Sequence, residues 1–250
     1  MLILLPPSEG KSKPAGGNPV ELGSLAFSKE LGKARSSLLD ALELLAREPV
    51  EEAVEQLGVS AGQAGEVAID GELRSAPAAP AADVYSGVLF ERLDLASLPA
   101  SARRRAEKEV LIASALWGVV RIGDRIPYYR FSAKARLDGI GPLAKWWRGP
   151  LGEAVPDEGG ELIVDMRSGA YAAAWKPRRA TLLSVGAFTR REGKRKPVTH
   201  MAKAIRGEVA RALLLAEKPA KDPEQAAAIV CGAGFEVELA GAGLDVILSD

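Results

Sequence analysis

Four short stretches of this chain concentrate residue types that can do chemistry, and apolar runs precede them. Ser8-Glu9-Gly10-Lys11 comes just after Leu2-Ile3-Leu4-Leu5, and Asp83-Val84-Tyr85-Ser86-Gly87 comes after an Ala/Pro stretch. Arg121, Asp124, Arg125, Tyr128, Tyr129 and Arg130 follow the run Val110-Leu111-Ile112-Ala113, and Asp165-Met166-Arg167-Ser168-Gly169-Ala170-Tyr171 follows Leu162-Ile163-Val164. Glu9 and Asp165 are carboxylates placed to exchange protons, with Lys11 beside Glu9 as an acid/base or anion-contact partner. Backbone amides at a glycine turn such as Ser86-Gly87 accept phosphate, and Tyr85 can stack or donate a hydrogen bond. Arginines interleaved with Tyr128 and Tyr129 suit an anionic or planar ligand. The plainer alternative is that the tyrosines cap the core and the arginines are solvated; Ser168 and Asp165 would then be no more than a helix cap.

If each motif sits at the end of a buried strand, one sheet edge positions them all. Glu9, Tyr85, Arg121, Arg130, Asp165 and Tyr171 are then expected to line one concave site. Gly10-Lys11-Ser12 imitates the end of a phosphate-binding P-loop, but Leu5 stands where its first glycine belongs and Pro14 interrupts the helix that should follow. A nucleotide-hydrolase loop is excluded on those grounds.

The supporting elements follow from spacing. Leu31, Ala34, Leu38, Leu42 and Leu45 repeat with helical period, with Ser28 placed to cap and Pro49 to stop the helix. Val50 to Leu57 and Ser60 to Leu73 read as two more helices, and Leu143 to Gly149 as one ending at the glycine. Trp146 and Trp147, about 100° apart on that helix, send at least one ring toward a cleft or interface. Thr181 to Val185 is a strand, Arg190 to Lys196 a basic loop, and a helix from Thr199 carries Met201, Ile205, Val209 and Leu213 on its apolar stripe. Phe235 to Leu239 and Leu244 to Leu248 form a terminal hairpin across Gly241-Ala242-Gly243. Ser75 to Pro80 interrupts regular structure without being long enough to separate domains.

The chain has 250 residues, 47% hydrophobic and 26% charged, enough for a real core and too apolar for disorder. Its net charge of +0 hides segregation: Asp40 to Asp94 is mostly acidic, whereas Lys176 to Arg211 holds eleven Lys or Arg against Glu192 and Glu208. With one Cys and one His, an internal disulfide is excluded and a zinc site has almost no ligands. Cys231 lies in an apolar run, a poor place for a peroxide sensor. No apolar segment has export or membrane-spanning length, so the expectation is a cytoplasmic protein with no membrane partner, no metal and no cofactor.

LILLPPSEGK at Leu2 to Lys11, DVYSG at Asp83 to Gly87, LWGVVRIGDRIPYYR at Leu116 to Arg130, KWWRG at Lys145 to Gly149, VDMRSGAYAAAW at Val164 to Trp175 and THMAKAIRG at Thr199 to Gly207 occur together in this order. That combination resembles the YaaA family of peroxide-stress proteins over essentially the whole chain. The resemblance implies one mixed α/β (α+β) domain over residues 1–250, with a mostly buried central sheet wrapped by helices, a basic cleft and a helix-hairpin-helix element. It implies DNA binding linked to oxidative stress and repair. By order along the chain, the hairpin element falls near Ala81 to Gly87. Enterobacterial members carry a cation where this chain has Glu9.

Two functions follow. In the first, duplex or branched DNA is held through its phosphates without sequence reading, by Arg191, Lys194, Arg195, Lys196, His200, Lys203 and Arg206 together with Arg121, Arg125 and Arg130. In the second, an enzyme acts on a nucleotide or nucleobase in a pocket formed by Ser8, Glu9, Lys11, Tyr85, Arg121, Asp124, Tyr128, Arg130, Asp165, Ser168 and Tyr171, with Glu9 and Asp165 as acid/base groups. A structural partner of repair proteins is the third and plainest option.

Overall fold

The computed structural model describes residues 1–157, 159–191, 194–198 and 201–248. Its strands are β1 (Leu2–Leu5), β2 (Ala78–Pro80), β3 (Val110–Ser114), β4 (Gly118–Arg121), β5 (Arg125–Pro127), β6 (Arg136–Leu137), β7 (Gly141–Pro142), β8 (Leu162–Asp165), β9 (Thr181–Arg191), β10 (Lys194–Pro197), β11 (Glu236–Ala240) and β12 (Gly243–Leu248). Its α-helices are α1 (Ser28–Leu45), α2 (Val50–Leu57), α3 (Gly65–Gly71), α4 (Ala81–Val84), α5 (Val88–Leu93), α6 (Ala100–Glu109), α7 (Leu143–Ala154), α8 (Gly169–Ala172), α9 (Ala202–Leu215) and α10 (Pro223–Gly232).

One mostly parallel sheet runs β11-β12-β9-β8-β1-β3-β4, with β10 pairing antiparallel to β9. Every residue of β1, β3 and β8 is buried, which is why these segments are continuous apolar runs rather than alternating ones: helices cover both faces. Pro6-Pro7 ends β1 because proline has no N–H to give a neighbouring strand. The result is a single mixed α/β domain with the sheet at its core.

The order of the strands matters for function. From β1 the chain crosses to β3 on one side, both parallel to it, whereas β8 lies on the other side and leads away to β9. The loops after β1 and β8 therefore diverge, leaving a crevice at the carboxyl ends of the strands, where open α/β sheets bind ligands.

Several local expectations are corrected. Ser28 is the first residue of α1 and does not cap it; Phe27 takes that position, with φ 56° and no side-chain hydrogen bond. Ser60 to Leu73 is broken into a 3-10 turn at Ala61–Gln63 and α3. The Leu143 helix does not end at Gly149 but continues through Pro150 to Ala154. The basic segment around Arg190 to Lys196 is not a free loop: its described residues belong to β9 and β10, which pair antiparallel with Arg195 opposite Arg190. Helix α9 starts at Ala202, which leaves Met201 exposed ahead of it. The terminal hairpin forms as expected, Val237 pairing with Val246.

Candidate functional site

The crevice is built from the loop after β1, the end of β3, the loop after β8 and the α4–α5 turn. Lys11 pairs with Tyr85 in an isolated antiparallel bridge, and the Ser12 N–H donates to the Val84 carbonyl at 2.8 Å, so the SEGK and DVYSG motifs are fastened together. Ser8 Oγ accepts the Ser86 N–H at 3.1 Å and donates to the Gly10 carbonyl. Arg130 Nη1 donates to the Glu9 carbonyl at 2.8 Å, which brings the third motif alongside.

Beneath these loops lies a chain of hydroxyls. Ser114 Oγ is 2.8 Å from Tyr129 Oη, which is 2.7 Å from Tyr85 Oη. The direction of part of this chain is fixed by the backbone. Ser114 Oγ accepts the N–H groups of Leu116 and Trp117, so both lone pairs are used and its own hydrogen goes to Tyr129. The Tyr129–Tyr85 contact uses one phenolic hydrogen, and the other has no acceptor among the described residues. Burial pushes both phenols above their ordinary range, so they stay protonated and act as donors. The turn that supplies the two N–H groups is held by buried Arg35, whose Nε donates to the Trp117 carbonyl at 3.0 Å and Nη2 to that of Val119 at 2.8 Å.

Lys11 Nζ sits 4.4 Å from the centre of the Tyr129 ring and 5.8 Å from that of Tyr85, and donates to the Ser8 carbonyl at 2.9 Å. It has no carboxylate within ion-pairing distance among the described residues. Burial, helped by the Arg130 charge, lowers its pKa to about 8 against the opposing pull of Asp70, Glu9 and Glu66.

Sequence reasoning missed Asp70. This α3 residue is 1% exposed, and its Oδ1 accepts the Arg130 N–H at 2.8 Å while Oδ2 is buried without a partner. Burial raises its pKa to about 7, with Glu66 adding to the rise and the Arg130 N–H opposing it. Glu66 accepts the Tyr128 hydroxyl through Oε1 at 3.2 Å, and its Oε2 is also buried and unpartnered. Lys13 covers the Tyr128 ring at 4.9 Å. The available signal was the spacing of Val67 and Asp70, which puts an acid on the core stripe of a short helix.

Tyr171 joins the same neighbourhood from the β8 loop. It lines a small pocket, with room for about one water, together with Ser114, Ala133, Trp147 and Arg167. Burial pushes its phenol up to about 12. Trp147 is buried and its indole donates to the Ala115 carbonyl at 2.7 Å, while Trp146 packs on the core.

The other expected residues stand elsewhere. Since β4 runs antiparallel to β3, Leu111 faces Arg121, toward the opposite end of the strands from Ser114. Arg121 donates to the carbonyls of Glu107 and Lys108 and covers the Phe27 ring at 5.6 Å. Asp124 accepts the N–H groups of Ala26 and Arg121, both at 3.0 Å, and so clamps a turn. Arg125 donates to the Ala78 carbonyl. The expectation of one concave site including Arg121 is thus corrected by strand direction.

Asp165 ends β8 at the correct edge but is committed to Arg167, which contacts Oδ1 through Nε and Oδ2 through Nη2, each at 2.8 Å, as a buried ion pair. Ser168 is exposed at the start of α8 and makes no side-chain cap. Tyr85-Ser86-Gly87 is a turn between two short helices, and the Ser86 amide expected to meet phosphate is already given to Ser8 Oγ. Gly87, at φ 98°, is a glycine for conformational reasons.

Within the basic segment, Arg190 and Arg195 are committed to acidic partners. Arg195 pairs with Glu238 at 3.0 Å and Asp245 at 2.9 Å, and Arg190 with Glu236 and Glu238. Arg206 is half-buried, its Nε 3.5 Å from the Val185 carbonyl. Lys196 and Lys203 are exposed. His200 and the side chains of Arg191 and Lys194 lie outside the described residues. Cys231, in the apolar run of α10, is exposed. No helix among the described residues is long and apolar enough to cross a membrane.

Comparison with known proteins places these features in context. Residues 1–239 match the family described as peroxide stress protein YaaA. A UPF0246 protein of Streptomyces coelicolor is 44% identical over 245 residues, covering 95% of this chain and 92% of its own. A Corynebacterium glutamicum UPF0246 protein is 38% identical over 242 residues, covering 95% of each chain, and an uncharacterized Campylobacter jejuni protein is 29% identical over 212 residues, covering 83% of this chain and 82% of its own.

Proposed function

The chain belongs to the peroxide stress protein YaaA family, and from that premise we propose that the crevice between the loops after β1 and β8 is an enzyme site for a small anionic, nucleotide-like molecule. The observation that carries this reading is Lys11: an ammonium resting on two tyrosine rings without an ion-pair partner among the described residues, and within the electrostatic reach of the buried carboxyl of Asp70. A site that only holds DNA phosphates needs exposed cations. A lysine with a pKa near 8 and an aspartate with a pKa near 7 instead exchange protons near neutrality, as general acid–base catalysis requires.

In this reading Lys11 and Arg130 attract the anionic group, and the unclaimed phenolic hydrogen of the Tyr85–Tyr129 pair donates to an oxygen that gains negative charge. Asp70 moves the proton. Glu9, exposed at the rim, is the further acid/base candidate. Calorimetric titration with AMP and with ribose 5-phosphate tests the site. Binding by the wild type that is at least tenfold weaker in Lys11→Met supports it, and equal affinity in both proteins overturns it.

DNA binding is the second reading, favoured by the family resemblance and by exposed Lys196 and Lys203. Its phosphate contacts would be sequence-indifferent and fall steeply with salt. The ion pairs of Arg190 and Arg195 count against a broad basic surface there.

A further inference from the structure

Lys11 is placed as a reagent more than as a charge. A lysine kept for structural pairing meets a carboxylate, yet no Asp or Glu oxygen lies within 4.0 Å of Lys11 Nζ among the described residues. Its position is fixed by the Ser8 carbonyl at 2.9 Å and by the Tyr129 ring. The guanidinium of Arg130 is close enough for its charge to act on the amine. A desolvated amine beside a second cation is the arrangement that turns lysine into a nucleophile at neutral pH, because both influences favour the uncharged form with its free lone pair.

Resting on the reading of this crevice as a ligand site, we propose that Lys11 forms an imine with the carbonyl carbon of a small aldehyde or ketone that bears an anionic group. The neutral amine attacks the carbonyl carbon, forming the C–N bond while the C=O π pair moves to oxygen. Because Asp70 lies beyond 4.0 Å of Lys11 Nζ, a bridging water relays the protons: the oxygen takes the proton of the Asp70 carboxyl, and the nitrogen returns one of its protons to the carboxylate, giving a neutral carbinolamine. Asp70 then protonates the hydroxyl, the C–O bond breaks, water leaves, and the nitrogen lone pair forms the protonated C=N bond. One water is released and no oxidation or reduction occurs. The unclaimed phenolic hydrogen stabilises the oxygen while it carries charge, and Arg130 holds the substrate's anionic group.

The test is reductive trapping of the full chain with glyoxylate, a small anionic aldehyde, and borohydride, with adducts located by peptide mass spectrometry. Lys11 is expected to be labelled at least tenfold faster than exposed lysines at pH 7.5, with a rate that rises to a midpoint near pH 8. Lys11→Arg removes that adduct. Asp70→Asn, which still accepts the Arg130 N–H, slows trapping at Lys11 at least tenfold and leaves exposed lysines unchanged; Tyr85→Phe, which cannot leave a charge behind, slows it less. Labelling of Lys11 no faster than exposed lysines overturns the imine. AMP binding that depends on Lys11 but comes without preferential trapping also overturns the imine and leaves the ligand site standing. Preferential trapping without AMP binding supports the imine and overturns the nucleotide-like class, and the absence of both overturns both.

Discussion

Replacing Asp70 with Asn isolates the electrostatic cost of the buried carboxyl, because the amide keeps the shape and the acceptor for the Arg130 N–H while losing the charge. In the folded protein the Asp70 pKa is raised from 3.8 to about 7. Between those values the folded state holds a proton that the unfolded chain has released. Stability from this group is therefore fully present below pH 3.8 and is lost as pH rises through 7. The size of the loss is roughly 4 kcal/mol, and solvent screening reduces it little because the residue is 1% exposed. Lys11 acts in the opposite sense and in another window: its pKa is lowered from 10.5 to about 8, so its burial penalty is relieved as pH rises from 8 toward 10.5. Urea unfolding of wild type and Asp70→Asn at intervals from pH 4 to pH 8 then reads Asp70 together with its coupling to Glu66 and Lys11, since the remaining groups are common to both. The variant is expected to gain on the wild type by up to roughly 4 kcal/mol across that range. A difference that stays constant with pH refutes the assignment of a buried, proton-holding carboxyl.

Arg167→Met leaves Asp165 buried and uncompensated and should lower unfolding free energy by about 3–5 kcal/mol in denaturant titrations. Gly118→Ala forces a side chain onto a residue at φ 72° with its Cβ 2.9 Å from the Trp147 ring, so a loss of about 2 kcal/mol or more is expected by the same measurement. If DNA is bound, mobility shifts over a salt series should show the slope of log affinity on log salt becoming shallower by about 2 in the Lys196→Glu, Lys203→Glu double variant. An unchanged slope removes those two side chains from the phosphate contacts.

The sheet was legible in sequence because β1, β3 and β8 are buried on both faces and leave uninterrupted apolar runs. Their shared direction brings Ser114 and the loops carrying Lys11 and Tyr171 to one edge, whereas Tyr85, Tyr129 and Arg130 arrive there from the α4–α5 turn and the segment after β5, outside that sheet. Arg121 escaped this logic because a tight turn reverses β4, and nothing in the run Val119-Val120-Arg121 distinguishes antiparallel from parallel pairing. Asp165 was read as a free carboxylate because its partner, Arg167, is only two residues away and their bidentate contact depends on how the chain bends after β8. Arg190 and Arg195 looked available because their partners, Glu236, Glu238 and Asp245, come from a hairpin far along the chain. Asp70 was overlooked because a single acid in a weakly helical stretch is ordinarily solvated, and only tertiary packing buries it.

The most direct measurement is the titration of the Lys11 side chain itself, followed by NMR of lysine-labelled protein with Lys11→Arg for assignment, before and after addition of AMP. The account predicts a resonance that titrates near pH 8 in the free protein and moves to higher pH when the anion binds, as an added negative charge favours the ammonium. A Lys11 that titrates with the exposed lysines and does not respond to AMP contradicts it.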